Sequence, residues 1–228
     1  MSQVVFDNVS KAYEQDRKAL DQVSFQIDPG EFVFLIGHSG AGKSTLIKML
    51  IREDIPTEGR VLFNDQVVHE LPADDLPGLR RKIGVVFQDF KVLESKTVFE
   101  NVAVALDVVD APEYVVNEVV PNVLTLVDLY HKVNSFPNQL SGGELQRLSI
   151  ARALAHEPDM LIADEPTGMI DPSAATKVLA ILEKINSLGT TVLMSTHDSA
   201  IVNKFKRRVL RLEEGALISD KREAAYED

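Results

Sequence analysis

Five apolar residues, Phe32 to Ile36, run directly into Gly37-His38-Ser39-Gly40-Ala41-Gly42-Lys43-Ser44-Thr45, and a helix-period pattern takes over from Lys43 to Ile51. The segment satisfies G-x-x-x-x-G-K-S/T in the context that gives the motif physical meaning, between a buried strand and a helix. Its glycines let the backbone curl so that successive amides point inward at phosphate oxygens, and the positive end of the following helix strengthens the field there. Lys43 then reaches the β- and γ-phosphates and the Ser44 hydroxyl ligates Mg²⁺. An ordinary Gly-rich strand-to-helix turn has no need of Lys followed by Ser. His38 occupies a variable position of the loop, and its imidazole is assigned no chemical role.

A loop of this kind belongs to an α/β fold, and the rest of the chain reads that way. Strand-like runs at Val4 to Phe6, Val61 to Phe63, Gly84 to Phe87, Met160 to Ala163, Thr191 to Ser195 and Val209 to Leu212 alternate with helical patterns at Pro172 to Ser187 and Asp198 to Lys204. The alternation predicts a largely parallel sheet. Between Gln88 and Ala155 the texture changes to three helical segments, Thr97 to Leu106, Pro112 to Val127 and Ser141 to Ala155, with no strand among them. Thr97 with Glu100 has capping-box spacing, as does Ser141 with Glu144. The tail from Lys221 to Asp228 is charged and is expected to fray.

Met160-Leu161-Ile162-Ala163 ends in Asp164 and Glu165. A phosphate-loop fold needs an acid at such a strand end to hold the metal, which suits Asp164, and a neighbouring carboxylate can orient or deprotonate an attacking water, which suits Glu165. Alone, this pair would be a charged turn; together with the loop at Gly37 it has a chemical purpose.

Composition narrows the field. A net charge of -11 argues against a nucleic-acid surface, and the short basic cluster Lys204, Lys206, Arg207 and Arg208 reads as a solvated face. With no cysteine there is no disulfide, thiolate metal site or thiol nucleophile. The N-terminal residues lack the pattern of a secretory signal, and no apolar run approaches the ~20 residues of a spanning helix, so no direct membrane span is expected.

Leu140-Ser141-Gly142-Gly143-Glu144-Leu145-Gln146-Arg147, upstream of Asp164, resembles the signature motif of ATP-binding-cassette (ABC) ATPases. Gln88 after a strand, His197 after the last core strand, Asp171 in the loop after the acidic pair, and Tyr13 near the start match the same family in order and spacing. The resemblance runs from Tyr13 to His197. It implies the P-loop ABC ATPase fold, a mostly parallel core with an antiparallel β subdomain and a helical subdomain, as a single domain over 1–228. Residues 1–88 and 156–228 would be the catalytic core lobe and 89–155 the helical subdomain carrying the signature.

The resemblance further implies the ligands and roles. ATP and Mg²⁺ are the cofactors; residues 37–45, Tyr13, Gln88, Ser141, Gly142, Gly143 and Asp171 bind ATP; Ser44, Gln88 and Asp164 face the metal; Glu165 and His197 are catalytic. Tyr13 would stack on adenine. Ser141 to Gly143 of a second copy would close on the γ-phosphate, giving a homodimer in the ATP-bound state. Gly142 and Gly143 weaken a first helical turn and make sense where a backbone approaches a ligand closely.

Phe87 to Leu93, Leu79 to Gly84, Glu31 to Gly37 and Thr190 to Asp198 resemble more narrowly those ABC ATPases that work in cell division with a permease-like integral membrane partner and regulate cell-wall hydrolases. Such a subunit sits at the cytoplasmic face of the cell membrane. Lipoprotein-release and macrolide-efflux ATPases share much of this text and remain the alternative. Leu145, and Met169-Ile170 before Asp171, depart from the group's usual Gln and Asn-Leu. The segment Gln88 to Leu106, with Phe90 and Phe99 as exposed-aromatic candidates, is expected to receive the partner. A P-loop kinase would need an arginine-rich lid in place of Leu-Ser-Gly-Gly-Glu, and a nucleotide switch without turnover would have no use for Glu165.

Overall fold

The computed structural model describes residues 2–14 and 17–222. In chain order its main elements are β1 (Val4–Glu14), β2 (Arg17–Ile27), β3 (Phe32–Ile36), α1 (Lys43–Leu50), β4 (Glu58–Phe63), β5 (Gln66–Val67), α2 (Leu76–Lys82), β6 (Ile83–Val86), α3 (Val98–Asp107), α4 (Glu113–Leu126), α5 (Gly142–Leu154), β7 (Met160–Asp164), α6 (Pro172–Ser187), β8 (Thr191–Thr196), α7 (Ser199–Phe205), β9 (Arg208–Glu213) and β10 (Ala216–Lys221). They divide into two compact units, Met1–Arg80 with Gly189–Asp228, and Arg81–Leu188.

In the first unit, β2, β1, β4 and β5 form an antiparallel sheet in that order. Phe6 on β1 pairs with Phe25 on β2, and their rings stack with centroids 4.6 Å apart. The expected strand at Val4 to Phe6 proves to be the start of a much longer one. Residues 8 and 22 explain why alternation stops there: Asn8 and Gln22 both have φ near +49°, and the β1–β2 register is irregular after Phe6. Each kink shifts the buried face by one residue, so Phe6 is followed by Val9 and Leu20 by Val23 instead of by residues two apart. The sequence therefore loses its period of two although the strands continue.

Also in this unit, β3 lies between two parallel neighbours, β8 and β9, and β10 pairs antiparallel with β9. All five residues of β3 are buried, as expected of a strand covered on both faces. Phe34 is fully enclosed and meets the edge of Phe205 at 6.5 Å between centroids. The β9–β10 hairpin turns at Glu214 and Gly215, both at positive φ, as a two-residue primed turn requires. The basic cluster divides here: Lys204, Lys206 and Arg207 are exposed, whereas Arg208 is drawn into ion pairs with Glu31 and Asp220, each 2.8 Å. Arg208 is thus no part of a solvated face.

In the second unit, β6 and β7 run parallel with Val86 opposite Ala163. Helix α5 packs against α3, α4, α6 and β6. All three helical patterns expected between Gln88 and Ala155 are helices, and both capping boxes form, Thr97 with Glu100 and Ser141 with Glu144. Phe90 and Phe99 are half-buried and so are not exposed aromatics; Leu93, 39% exposed, is the large apolar side chain that this stretch presents. Lys221 closes β10, and residues 223–228 of the expected frayed tail lie outside the described residues. No helix among the described residues is long and apolar enough to cross a membrane.

Candidate functional site

The loop at residues 37–45 leaves the C-terminal end of β3, the end at which ligands gather in parallel sheets. Ile36 pairs with Thr196 on β8, so Gly37 and His197 each stand one residue beyond a registered pair. Gly42 is the N-cap of α1, in left-handed conformation with φ 106°, and makes no side-chain capping bond. A Cβ on Gly42 would lie 2.6 Å from the Ala19 carbonyl oxygen and 2.7 Å from Leu20 Cδ2. Packing and backbone conformation therefore both demand glycine at this point. Gly40, with φ 82°, has nothing within 4 Å of where its Cβ would be and faces open space.

The first amides of a helix have no partner within it, and here no side chain caps them. Lys43 is buried beneath the loop, and its Nζ donates to the carbonyl oxygens of Gly37 at 2.7 Å and His38 at 3.2 Å. An open helix start beside an ammonium inside a Gly-rich curl fits a polyphosphate. Ser44 is exposed on the first turn, and His38, Ser39 and Gly40 are exposed while Gly37 and Ala41 are buried.

Tyr13 belongs to the same unit. Its ring is 57% exposed, and its hydroxyl donates to Asp54 Oδ2 at 2.6 Å and lies 3.5 Å from Thr45 Oγ1 on the phosphate loop's last residue. Lys11, ion-paired with Asp54, places its Nζ 4.9 Å from the ring centroid. Burial and the Asp54 hydrogen bond raise the Tyr13 pKa. Burial alone would raise that of Asp54, but hydrogen bonds from Lys11, Tyr13 and the Ile55 amide hold it below the usual range. Neither partner was read from the sequence: Lys11 is two residues from Tyr13 on a strand whose alternation is already broken, and Asp54 is 41 residues away.

In the second unit, Gln88 lies two residues past Val86 and Glu165 two past Ala163, and Val86 pairs with Ala163. A Cβ on Gly168 would meet Gln88 Nε2 at 3.2 Å and the Glu165 carbonyl oxygen at 3.5 Å, so the two strand ends converge around that glycine. Glu165 has φ 47°, a conformation that costs a non-glycine residue about 1 kcal/mol or more and clusters at functional positions. Asp164 is the last residue of β7.

Ser141 caps α5. Its amide and hydroxyl both donate to Glu144 Oε2 at 2.8 Å, while its Oγ accepts from the Glu144 amide at 3.4 Å. The first amides of this helix outside the box belong to Gly142 and Gly143. The two glycines differ: a Cβ on Gly143 would fall 2.5 Å from Ala174 Cβ on α6, whereas one on Gly142 would have ordinary contacts with Ile170 and Met169 at 3.6 Å. Gly143 thus has a packing reason that its motif did not reveal. Asp171 caps α6, accepting from the amides of Ser173 at 2.9 Å and Ala174 at 3.0 Å.

The chain also resembles known proteins in sequence and in fold. The ABC transporter family profile matches residues 20–168. The chain is 51% identical over 218 residues to the cell division ATP-binding protein FtsE of Bacillus subtilis (strain 168), covering 96% of each chain. It is 43% identical to the protein of that name from Escherichia coli (strain K12), covering 93% of this chain and 96% of that one. Among solved structures, a dimeric bacterial ABC transporter cassette superposes with TM-score 0.86 at 35% identity, covering 98% of this chain and all of that one (100%). A post-hydrolysis cassette dimer bound to ADP and Pi gives 0.85 at the same 35% identity, again covering 98% of this chain and 100% of that one. With a phosphate loop, a signature helix start and an acidic strand end on such a fold, the chain belongs to the ABC transporter ATPase family, in the group of FtsE-type ATP-binding proteins.

Proposed function

We propose that this chain is the ATP-hydrolysing subunit of an FtsEX-type membrane complex, in which an FtsX-type permease-like partner transmits its motion to regulate cell-wall hydrolysis during division. The observation that carries the ATPase reading is the uncapped start of α1 above the buried Lys43 ammonium. The division role leans on relatives named for cell division that match nearly the whole chain.

Residues 37–45 bind the phosphates, with Lys43 as the cation at the terminal ones. Ser44, Gln88 and Asp164 offer hydroxyl, amide and carboxylate oxygens, a hard donor set suited to Mg²⁺. Mg²⁺ held there would neutralise charge developing on the phosphoryl oxygens. Glu165 orients and deprotonates the attacking water, His197 contacts the γ-phosphate, and Tyr13 stacks on the base. Ser141, Gly142, Gly143 and Asp171 serve the ATP-bound homodimer. Residues 1–88 with 156–228 form the catalytic lobe and 89–155 the helical subdomain, which keeps the subunit at the cytoplasmic face of the membrane by holding its partner.

Glu165→Gln removes the base and leaves the phosphate cradle, so turnover should fall by about 10²-fold or more with ATP still bound. Lys43→Ala should instead lose nucleotide affinity. Single-turnover phosphate release and equilibrium nucleotide binding separate the two; hydrolysis at the parent rate in Glu165→Gln would remove Glu165 from the mechanism. Lys91, exposed and paired at the surface with Asp89 (2.6 Å), lies in the segment assigned to the partner. Lys91→Glu should weaken co-purification of the membrane partner, and undiminished co-purification would count against residues 88–106 as its seat.

A further inference from the structure

The polar cluster beside the phosphate loop has no part in phosphate chemistry, yet it organises the aromatic next to it. Lys11 and Asp54 are only 12% and 16% exposed, and their ion pair is completed by the Ile55 carbonyl, which accepts from Lys11 Nζ at 2.9 Å, and by the Ile55 amide, which donates to Asp54 Oδ1 at 2.8 Å. The neighbouring backbone thus holds the pair in place. Onto it Tyr13 fastens its hydroxyl, at 2.6 Å from Asp54 Oδ2, and one ring face, 4.9 Å from Lys11 Nζ, while the ring stays 57% exposed. An exposed tyrosine at a strand end ordinarily keeps its rotamer freedom. This one is held at its polar tip and on one face, and the tip lies 3.5 Å from Thr45 Oγ1.

We propose that Lys11 and Asp54 are positioning residues that preset the Tyr13 ring as a stacking platform for the nucleotide base, so that base binding does not have to order the side chain. The proposal rests on Tyr13 being the base-binding aromatic and adds how that aromatic is held. Ordering a free side chain weakens binding by about two- to tenfold, which is the margin the clamp supplies. Stacking itself is worth more, about five- to 150-fold. Both Asp54 and Lys11 act through the ring, so neither should affect a ligand that has phosphates and no base.

The test measures equilibrium binding of a non-hydrolysable ATP analogue and of inorganic tripolyphosphate, each with Mg²⁺, to the full chain. Tyr13→Leu should weaken the analogue by about tenfold or more. Tyr13→Phe, which keeps the ring and cuts its tether, and Asp54→Asn should each weaken it by about two- to tenfold. Combining Tyr13→Phe with Asp54→Asn should cost no more than the worse single variant, because both weaken the same link. Tripolyphosphate should bind all of them within about twofold of the parent. If Tyr13→Leu weakens the analogue while Tyr13→Phe and Asp54→Asn bind like the parent, the clamp is refuted and stacking stands. If Tyr13→Leu binds like the parent, stacking falls and the clamp falls with it. If tripolyphosphate weakens in step with the analogue, Asp54 acts on the phosphate loop or the fold, and the positioning role is overturned. Tyr13→Phe carries the test should Asp54→Asn fail to fold.

Discussion

Gly143 sits at the second position of α5, and a methyl there would lie 2.5 Å from the methyl of Ala174 on α6. Carbon atoms in contact settle about 3.5–4.0 Å apart, so Gly143→Ala forces a separation of about 1 Å or more between two groups that have no rotamer to change. Only movement of helix α5 against α6 can relieve it. Overpacking of this kind costs about 1–3 kcal/mol, and replacing a helical glycine by alanine returns at most about 1 kcal/mol. The net loss lies between about 0 and 3 kcal/mol, centred near about 1.5 kcal/mol. Urea unfolding of the nucleotide-free chain reads it directly, since no phosphate is present to confuse packing with ligand binding. Ala174→Gly in the same chain removes the clashing methyl at a helix-propensity cost of about 1 kcal/mol and should restore room for the methyl introduced at position 143, so the double variant should be more stable than the sum of the singles predicts. Additive losses, or a stable Gly143→Ala variant, would refute the packing account and leave Gly143 explained by ligand approach alone.

Two further outcomes follow from the same unit. The Ser141 amide, with the Ser141 hydroxyl also contributing, holds the Glu144 carboxyl below the usual range against the opposing effect of burial. A carboxyl whose folded pKa lies below its unfolded value of about 4.3 contributes stability that is fully present above that value and is lost as pH falls through the folded one. The stability difference between parent and Glu144→Gln should therefore shrink as urea midpoints are followed from neutral pH down past that range, and a pH-independent difference would exclude the ionised box. Arg152, its pKa lowered by burial, donates to the carbonyls of Lys91 at 2.5 Å and Phe90 at 3.3 Å, and both residues hold positive φ, 52° and 58°. Hydrogen bonds from a charged donor contribute about 1.5–3 kcal/mol, so Arg152→Gln should raise amide exchange across residues 88–96 by about tenfold or more; unchanged exchange would mean the turn holds itself.

What the sequence made legible is what depends on local pattern. Strand β3 and helix α6 have the bounds read from their apolar runs, the N-caps Thr97 and Ser141 stand where spacing put them, and Asp198, read as the first residue of a helix, is the cap just before one. Strand β2 went unread because the kink at Gln22 breaks its alternation, and α2 because Pro77 and Gly78 mask a helix that tolerates proline in its first turn. Hairpin strand β5 has only two residues and β10 buries none of its six, and their turns use Asn64-Asp65 and Glu214-Gly215, at positive φ without the usual Asn-Gly text. Among the site residues, the phosphate loop was written in one continuous stretch. The Asp54 partner of Tyr13 and the Ala174 neighbour of Gly143 come from distant segments, and no spacing rule links them.

The two Gly-rich segments are physically unequal, and the inequality bears on order of binding. Helices α6 and α7 follow strand ends β7 and β8 and close their own starts with Asp171 and Asp198. Helix α1, which follows β3, has no side-chain cap at its start. A carboxylate at position 42 would set negative charge against an incoming phosphate, and no Cβ fits there, since the Ala19 carbonyl stands 2.6 Å away. Beneath that open start lies the Lys43 ammonium; at the start of α5, by contrast, the Glu144 carboxylate is fastened to Ser141 at 2.8 Å. One helix end offers a polyphosphate uncapped amides and a cation, the other offers two glycine amides beside an anion. On the proposed function, phosphate would therefore bind first and more tightly at residues 37–45, and an α5 start contributed by a second copy would engage it once Lys43 had drawn off part of the phosphate's charge. In the proposed homodimer, the same Glu144 carboxylate makes closure sensitive to how much negative charge the γ-phosphate retains.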